Sequence, residues 1–500
     1  MRVIKKPSQG DKPATTNESQ AYVINTSIAL IIYVTFSFIL PPLEPVTKGG
    51  MGVLGVFLAM MYLLFVAENV TWPCFMAVGL LGFTNVTSAA NIIGQSWGSV
   101  MTVFVVATLL LNYAMTETGL IRRVAIWFIT RKFLKGHPWM MLFMYFLSIL
   151  LLGLVCTSSP IVVMYIAISE GIFDTLGYEG KEDKFTRSIV LAIGWVAQGA
   201  QAMTPIGHTM VLMVFGFILK DFGVTISIAK FSMVFLAWGA VYHLGTWLVF
   251  RYVMRPDVSR LVNLDIDELK AEVPPMSRRE KIVSIVLIAL VIFWISPDML
   301  ALIPLMKPIA SFVSKMGQTI PALVAVGLLC ALRADGAPAL DLKLSSSRIM
   351  WGSVYMIASL QVFGFIFDLD TVGITAAVRE TLKPLSANLP AWAFVAMVTA
   401  FMLIATNFLS NAVCAMLYTV IMPLALLIPG VSPIAIGLIV ASSANADSLL
   451  TPASCPVSGL VIGSGYVSPG MLAKYGWILM IVAFIGYIFV GYPLAVAVFG

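Results

Sequence analysis

The sequence predicts an all-α polytopic membrane protein of about 11 transmembrane helices plus two re-entrant hairpins, built as two related halves. Three observations predict it. Of the 500 residues, 60% are hydrophobic and only 11% charged, with a mean hydropathy of +0.96, where a soluble domain carries about 25% charge. Apolar windows long enough to cross a bilayer recur along the whole chain. Small polar clusters interrupt those windows twice in each half, at places that correspond after a shift of about 250 residues.

The elements follow in order. Residues 1–20 are polar and carry Arg2, Lys5, Lys6 and Lys12, without the short apolar stretch and small-residue cleavage site of a signal peptide. They are expected to form a cytoplasmic tail, with the first span, 22–40, retained. Further single spans are expected at 51–67, 72–86, 97–117, 229–252, 283–299, 318–333, 350–367 and 473–497. The runs 138–172 and 390–428 are too long for one crossing, and each carries a polar break near its middle. Each reads as two half-length helices forming a re-entrant hairpin, with two short full spans as the alternative. The runs 186–218 and 432–464 read as helices broken at Thr204-Pro205 and Thr451-Pro452. The first half then covers 21–253 and the second 283–500. Between them, 254–282 mixes Arg255, Asp257, Arg260, Asp265, Asp267, Glu268, Lys270 and Glu272 with Pro274-Pro275, and reads as a solvated cytoplasmic linker. The segment 119–136 sets Arg122, Arg123, Arg131, Lys132 and Lys135 against Ile121, Val124, Ile126, Trp127, Phe128 and Phe133, an amphipathic helix suited to anionic membrane lipid. Its expected counterpart in the second half is about 371–385.

Charge sets the orientation. With a cytoplasmic N-terminus and both long runs re-entrant, 23 of the 30 Lys and Arg fall inside. The first hairpin then opens from inside and the second from outside, so their tips can meet near the midplane. The net charge of +6 is a property of these loops and does not indicate nucleic acid. Cys74, Cys156, Cys330, Cys414 and Cys455 form no disulfide framework or metal spacing.

The four breaks carry the chemistry. Apolar helices in lipid cannot leave backbone groups unpaired, so a break at membrane depth is buried in protein or lines a cavity. A hairpin tip presents backbone N–H groups at a helix N-terminus, an environment for an anion. Ser158, Ser159, Ser410 and Asn411 add hydroxyl and amide donors there. Pro205 and Pro452 remove donors and free upstream carbonyls, which suit a small cation such as Na⁺. Singly, such residues are more often helix-packing groups or kinks; their paired recurrence in register is the signal. Asp447, inside an apolar helix, is a functional candidate by default, and Gln198 and Gln201 precede the first Thr-Pro break in a comparable position.

Leu409-Ser410-Asn411-Ala412-Val413-Cys414-Ala415 resembles the Ser-Asn-Thr signature of the divalent anion/sodium symporter (DASS) family of the ion transporter superfamily, the dicarboxylate, citrate and sulfate carriers. Thr204-Pro205-Ile206-Gly207 and Thr451-Pro452, the latter running on to Gly463-Ser464-Gly465-Tyr466, resemble the family's two Thr-Pro loops. The likeness covers roughly residues 50–498. It implies a homodimer in a cytoplasmic membrane whose hairpin-bearing part moves against a scaffold as an elevator. It implies substrate contacts at Ser158, Ser159, Asn411 and Pro452. It also implies Na⁺ contacts at Thr157, Ser158, Thr204, Gly207, Ser410, Asn411, Thr451 and Ser454, with no cofactor beyond that coupling ion. Three positions depart from the pattern: Ser158 replaces an Asn, Ala412 a Thr hydroxyl, and His208 the usual Thr. A dicarboxylate is the first expectation, with sulfate or an organosulfonate open beside it. Na⁺ symport is favoured over exchange or over H⁺ coupling through His208 and Asp447. Paired catalytic carboxylates, a nucleophile elbow, a pore-lining charge ring and a nucleotide-binding loop are all missing from the sequence, which argues against an enzyme, a channel and an ATP-driven pump.

Overall fold

The computed structural model describes residues 16–500 apart from 67–70, 179, 207, 265–269, 271–272, 368, 378–379, 381–388, 447–448 and 452–454. Helices dominate, because in an apolar solvent each helix satisfies its own backbone groups. Among the described residues six are long and apolar enough to cross a bilayer alone: Tyr22–Ile39, Ala89–Glu117, Ser158–Leu176, Ile228–Met254, Arg278–Ala301 and Pro469–Phe499. A seventh candidate is a pair bent by 73°, Pro304–Lys315 with Thr319–Ala331. The other apolar helices are shorter, so the eleven expected spans appear here as a mixture of long and short pieces. The all-α expectation has one small exception, a two-stranded ladder pairing Arg333–Ala334 with Ala337–Pro338. Its turn is Asp335-Gly336, both at positive φ (52° and 85°), the pairing that a tight hairpin turn requires.

Both long runs are divided where the polar clusters fall. In the first, Pro138–Gly153 and Ser158–Leu176 flank residues 154–157. Their arms are joined by buried polar contacts: Tyr145 Oη lies 2.7 Å from Ser169 Oγ, and Ser148 Oγ lies 2.6 Å from Tyr165 Oη. The second arm has 19 residues, the length of a full crossing rather than the half-length expected. In the second run, Ala391–Ala405 is followed by Asn411–Met416 and Tyr418–Ala425. The broken helices are Lys184–Gln201 with Thr209–Phe222, and Pro433–Ser443 with Pro456–Gly463. Each is followed by a closing helix, Ile228–Leu248 or Pro469–Gly486, that starts at a Ser N-cap and ends in a π-helical turn. The closing helices pack on one another, with Trp238 Nε1 donating to Ala483 O at 3.1 Å.

The linker is more than a solvated tether. Val258, Leu261 and Leu264 are buried, and Arg260 donates to Gly177 O while stacking 5.0 Å from the Tyr178 ring. Apolar residues spaced through a charged segment have drawn it onto the body. The amphipathic segment forms a helix, Leu120–Ile129, that buries Ile121, Ala125, Ile126 and Ile129. Arg123 leaves it to make a two-pronged pair with Glu280, at 2.5 and 2.9 Å. The basic face is thus partly spent on protein rather than lipid. Of the expected counterpart, 371–385, residues 378–379 and 381–385 lie outside the described residues.

Candidate functional site

The first break is organised by Gln201, whose side chain is 0% exposed at the end of Lys184–Gln201. Its Nε2 donates to Gly153 O at 3.1 Å and Cys156 O at 3.2 Å, the carbonyls released where the first helix pair turns. Thr157 caps the returning helix in an extended conformation, with Ser158 buried and Ser159 half-buried beside it. The polar residues of this tip therefore sit directly against the Thr-Pro break about 45 residues later. At that break, Thr204 is buried and its Oγ1 accepts the Ile206 N–H at 3.2 Å. His208 Nδ1 accepts the Met210 N–H at 3.4 Å, capping Thr209–Phe222.

The second tip and break are joined by different residues. Asn407, 0% exposed, accepts the Leu449 and Leu450 N–H groups on Oδ1 at 2.9 and 2.8 Å. Its Nδ2 donates to Leu403 O at 2.8 Å, and its own carbonyl accepts from Thr451 Oγ1. Thr406 Oγ1 donates to Ala444 O at 2.7 Å. Ser410 caps the returning helix, accepting the Val413 N–H, and Asn411 follows it, buried.

The two breaks are also tied to each other. Gln198 Nε2 donates to Asn445 O at 3.3 Å, and Ser442 Oγ donates to Ala202 O at 2.7 Å while meeting Tyr487 Oη at 2.8 Å. Hydrogen bonds thus tie the first tip to the first break, the first break to the second, and the second break to the residues just before the second tip. The packing crosses over as well. Thr209–Phe222 lies against the second tip's helix Asn411–Met416, and Pro456–Gly463 lies against the first tip's helix Ser158–Leu176. Among the described residues no hydrogen bond joins the two tips directly. Gly207, Asp447, Pro452 and Ser454 lie outside the described residues.

Among the described residues, four buried amide oxygens in this knot have no hydrogen-bond partner: Gln198 Oε1, Gln201 Oε1, Asn411 Oδ1 and Asn445 Oδ1. For Gln198, Gln201 and Asn445 the orientation is forced. Their nitrogens face backbone carbonyls, which only accept, so the oxygen is the group left over. An unpaired buried acceptor costs about 1–3 kcal/mol, and several in one place mark a region able to take a cation or water. The donors are neutral oxygens, which suit a hard monovalent ion. Among the described residues no three His, Cys, Asp or Glu gather as a softer metal would need.

Two cavities flank the knot. One of about 380 Å³ borders the first tip at Leu152 and Val155 and the first break at Ile206, with Asn112 in its wall. The other, about 620 Å³, borders the second tip's helix at Val413 and Met416 and has Lys220, Asp221 and Tyr418 at its polar end. There Tyr418 Oη donates to Asp221 Oδ2 at 2.9 Å, and Lys220 Nζ donates to Gly364 O. The unbridged Cys156 and Cys414 beside the tips are buried, whereas Cys455 at the second break is half-buried. Gln201 and Gln198 were visible in sequence as amides before a break. Asn407, Thr406 and Ser442 were not singled out, although Asn407 lies three residues before the Ser410-Asn411 pair.

A helical membrane protein whose broken helices meet in a buried polar knot belongs with the secondary transporters in architecture. Comparison with known proteins makes this specific: the family model described as the sodium:sulfate symporter transmembrane region matches residues 20–497, and the chain belongs to that family. The family is one of symporters, not of enzymes. Among curated relatives, the sodium-dependent dicarboxylate transporter SdcS of Staphylococcus aureus (strain USA300) is 25% identical over 314 residues, 60% of this chain and 58% of SdcS. The match thus spans less than two thirds of that relative's length. Among solved structures, the Alcanivorax borkumensis YdaH transporter superposes with a TM-score of 0.58 at 15% identity, over 96% of this chain and 97% of that one. Neisseria gonorrhoeae MtrF, from a class of antimetabolite efflux pumps, gives 0.52 at 16% identity over 94% of each chain. At these identities the likeness concerns the fold alone.

Proposed function

We propose that the chain is a secondary active transporter of a cytoplasmic membrane that carries a small divalent anion, a dicarboxylate first, in symport with Na⁺. The single observation that carries this reading is the knot itself. Four interruptions from distant parts of the chain are bonded into one buried cluster that leaves neutral oxygens unpaired. Helix N-termini at Ser158 and Asn411 supply donors for carboxylates. The Thr204 and Thr451 breaks, with Gly207, Ser410 and Ser454, supply oxygens for Na⁺. The family's description names sodium and sulfate, and SdcS is named for sodium and dicarboxylates; both support the reading.

The two halves act as inverted repeats, the crossed packing of each broken helix on the other half's tip being what a pseudo-two-fold arrangement requires. The unit made of the two tips, the broken helices and the closing helices moves as an elevator against the remaining helices, as one half of a homodimer. Asn411 is the lone amide of the two tips, with Ser158 and Ala412 standing where the family's pattern has an Asn and a Thr. That leaves room for sulfate or an organosulfonate as the runner-up substrate.

The test is uptake of a labelled dicarboxylate, and of sulfate and an organosulfonate, into proteoliposomes under an inward Na⁺ gradient. Replacing Na⁺ by choline abolishes uptake at every pH on this account. Uptake that persists in choline and follows a proton gradient replaces Na⁺ with H⁺, through His208 and Asp447. Uptake that needs only internal anion makes the protein an exchanger.

A further inference from the structure

We infer a binding site for one anionic phospholipid of the cytoplasmic leaflet, in a groove between the start of Pro138–Gly153 and the end of Ile228–Leu248. The groove has a volume of about 690 Å³, and the segments that line it around His137-Pro138 and Arg251 are ones the charge asymmetry of the sequence assigns to the cytoplasmic side. Its polar centre is Arg251. The closing helix Ile228–Leu248 runs into a π-helical turn, Val249–Met254, and Arg251 sits on that turn. Such turns insert a residue into the helix, re-aim the side chains, and are frequent at functional sites.

Arg251 is held by rings instead of by charge. Its guanidinium lies 5.0 Å from the ring centres of both Trp139 and Trp247 and 5.3 Å from that of Tyr252. Among the described residues no carboxylate or carbonyl pairs with it, and neither Asp nor Glu lines the groove. Cation–π contact orients a guanidinium but leaves its charge for an anion. A half-buried arginine at the membrane interface thus lacks a counter-charge.

The walls specify the rest of the ligand. Phe133 and Leu244 are 59% and 50% exposed and, with Phe143, form the groove's apolar flank. Trp and Tyr mark the headgroup level of a bilayer. Lys132 and Lys135 stand exposed nearby on the same segment as Phe133 and raise the local concentration of anionic lipid. A soluble phosphate would meet Arg251 and leave the apolar flank bare. A zwitterionic headgroup would bring its own cation against Arg251. A diacyl lipid with net negative charge satisfies both parts.

Full-length protein, purified in mild detergent and delipidated, is offered equal amounts of phosphatidylglycerol and phosphatidylcholine with matched chains, and retained lipid is counted by native mass spectrometry. Wild type retains one phosphatidylglycerol in preference. Arg251→Gln lowers that affinity about fivefold, the worth of one basic residue at an anionic surface, with phosphatidylcholine binding unchanged. Arg251→Lys loses less. Should Arg251→Gln not fold, wild type alone decides: its phosphatidylglycerol binding weakens between 50 and 500 mM salt, roughly the range over which surface charges become screened, and phosphatidylcholine binding does not. Equal retention of the two lipids by wild type overturns the proposal. So does equal phosphatidylglycerol binding by wild type and Arg251→Gln, or displacement of the lipid by millimolar inorganic phosphate.

Discussion

Asn407 is where the second break is most exposed to a single substitution. Its Oδ1 is the acceptor for two consecutive buried N–H groups, those of Leu449 and Leu450, and its carbonyl receives Thr451 Oγ1. Asn407→Ala deletes the shared acceptor and leaves both N–H groups unpaired. At about 1–3 kcal/mol for each orphan, the ordered loop loses roughly 2–6 kcal/mol. Water reaching the break would offset part of this, so the lower figure is the safer expectation. A loss of about 2 kcal/mol corresponds to roughly a 30-fold fall in the equilibrium constant for ordering the loop, and apparent ligand affinity falls to the extent that the competent fraction does. Asn407→Asp keeps an acceptor for both N–H groups but sets a carboxylate oxygen against Leu403 O where the amide donated, so it should retain part of the affinity. The assay is Na⁺ titration of dicarboxylate uptake in proteoliposomes, with thermal unfolding in detergent as the check on folding. An Asn407→Ala protein with wild-type Na⁺ affinity and stability would refute the claim that this amide positions Thr451.

Three further outcomes are expected. Asn411→Ala abolishes uptake at near-normal expression, and Ser159→Ala weakens apparent substrate affinity by about 1.5–3 kcal/mol, the worth of a hydrogen bond to a charged group; full activity in Asn411→Ala would remove the second tip from the binding site. Cys455 is labelled by a thiol reagent and protected by Na⁺ with substrate, while buried Cys156 and Cys414 react only as the tips open; equal protection of Cys455 and Cys330 would count against the arrangement. Arg123→Ala strands the buried Glu280 carboxylate and costs up to about 3 kcal/mol of stability, much of it recovered in an Arg123→Met, Glu280→Leu double variant, as read by thermal unfolding.

The breaks were legible because membrane helices tolerate few interruptions. Ser158-Ser159, Thr204-Pro205, Ser410-Asn411 and Thr451 each fall within a few residues of a helix end in the structure. What joins them was not legible. Gln201 reaches carbonyls 48 and 45 residues away, and Asn407 reaches N–H groups 42 and 43 residues away; an amide in an apolar run announces that it needs a partner, not which one. How the expected spans divide into long and short pieces was not legible, because a hydropathy window cannot see a bend such as the 73° one after Lys315. Asp335-Gly336 carried a clear turn signal that the adjoining apolar helix overshadowed. The linker reads as solvated because its charges outnumber its leucines, yet the buried Leu261 and Leu264 hold it against the body.

The measurement that bears most directly on the shared site is Na⁺ binding to the purified protein with and without saturating dicarboxylate. If both ligands occupy one knot, the anion raises Na⁺ affinity, Na⁺ raises anion affinity by the same factor, and Asn411→Ala abolishes the effect. Na⁺ affinity that is indifferent to the anion in wild type would contradict the account.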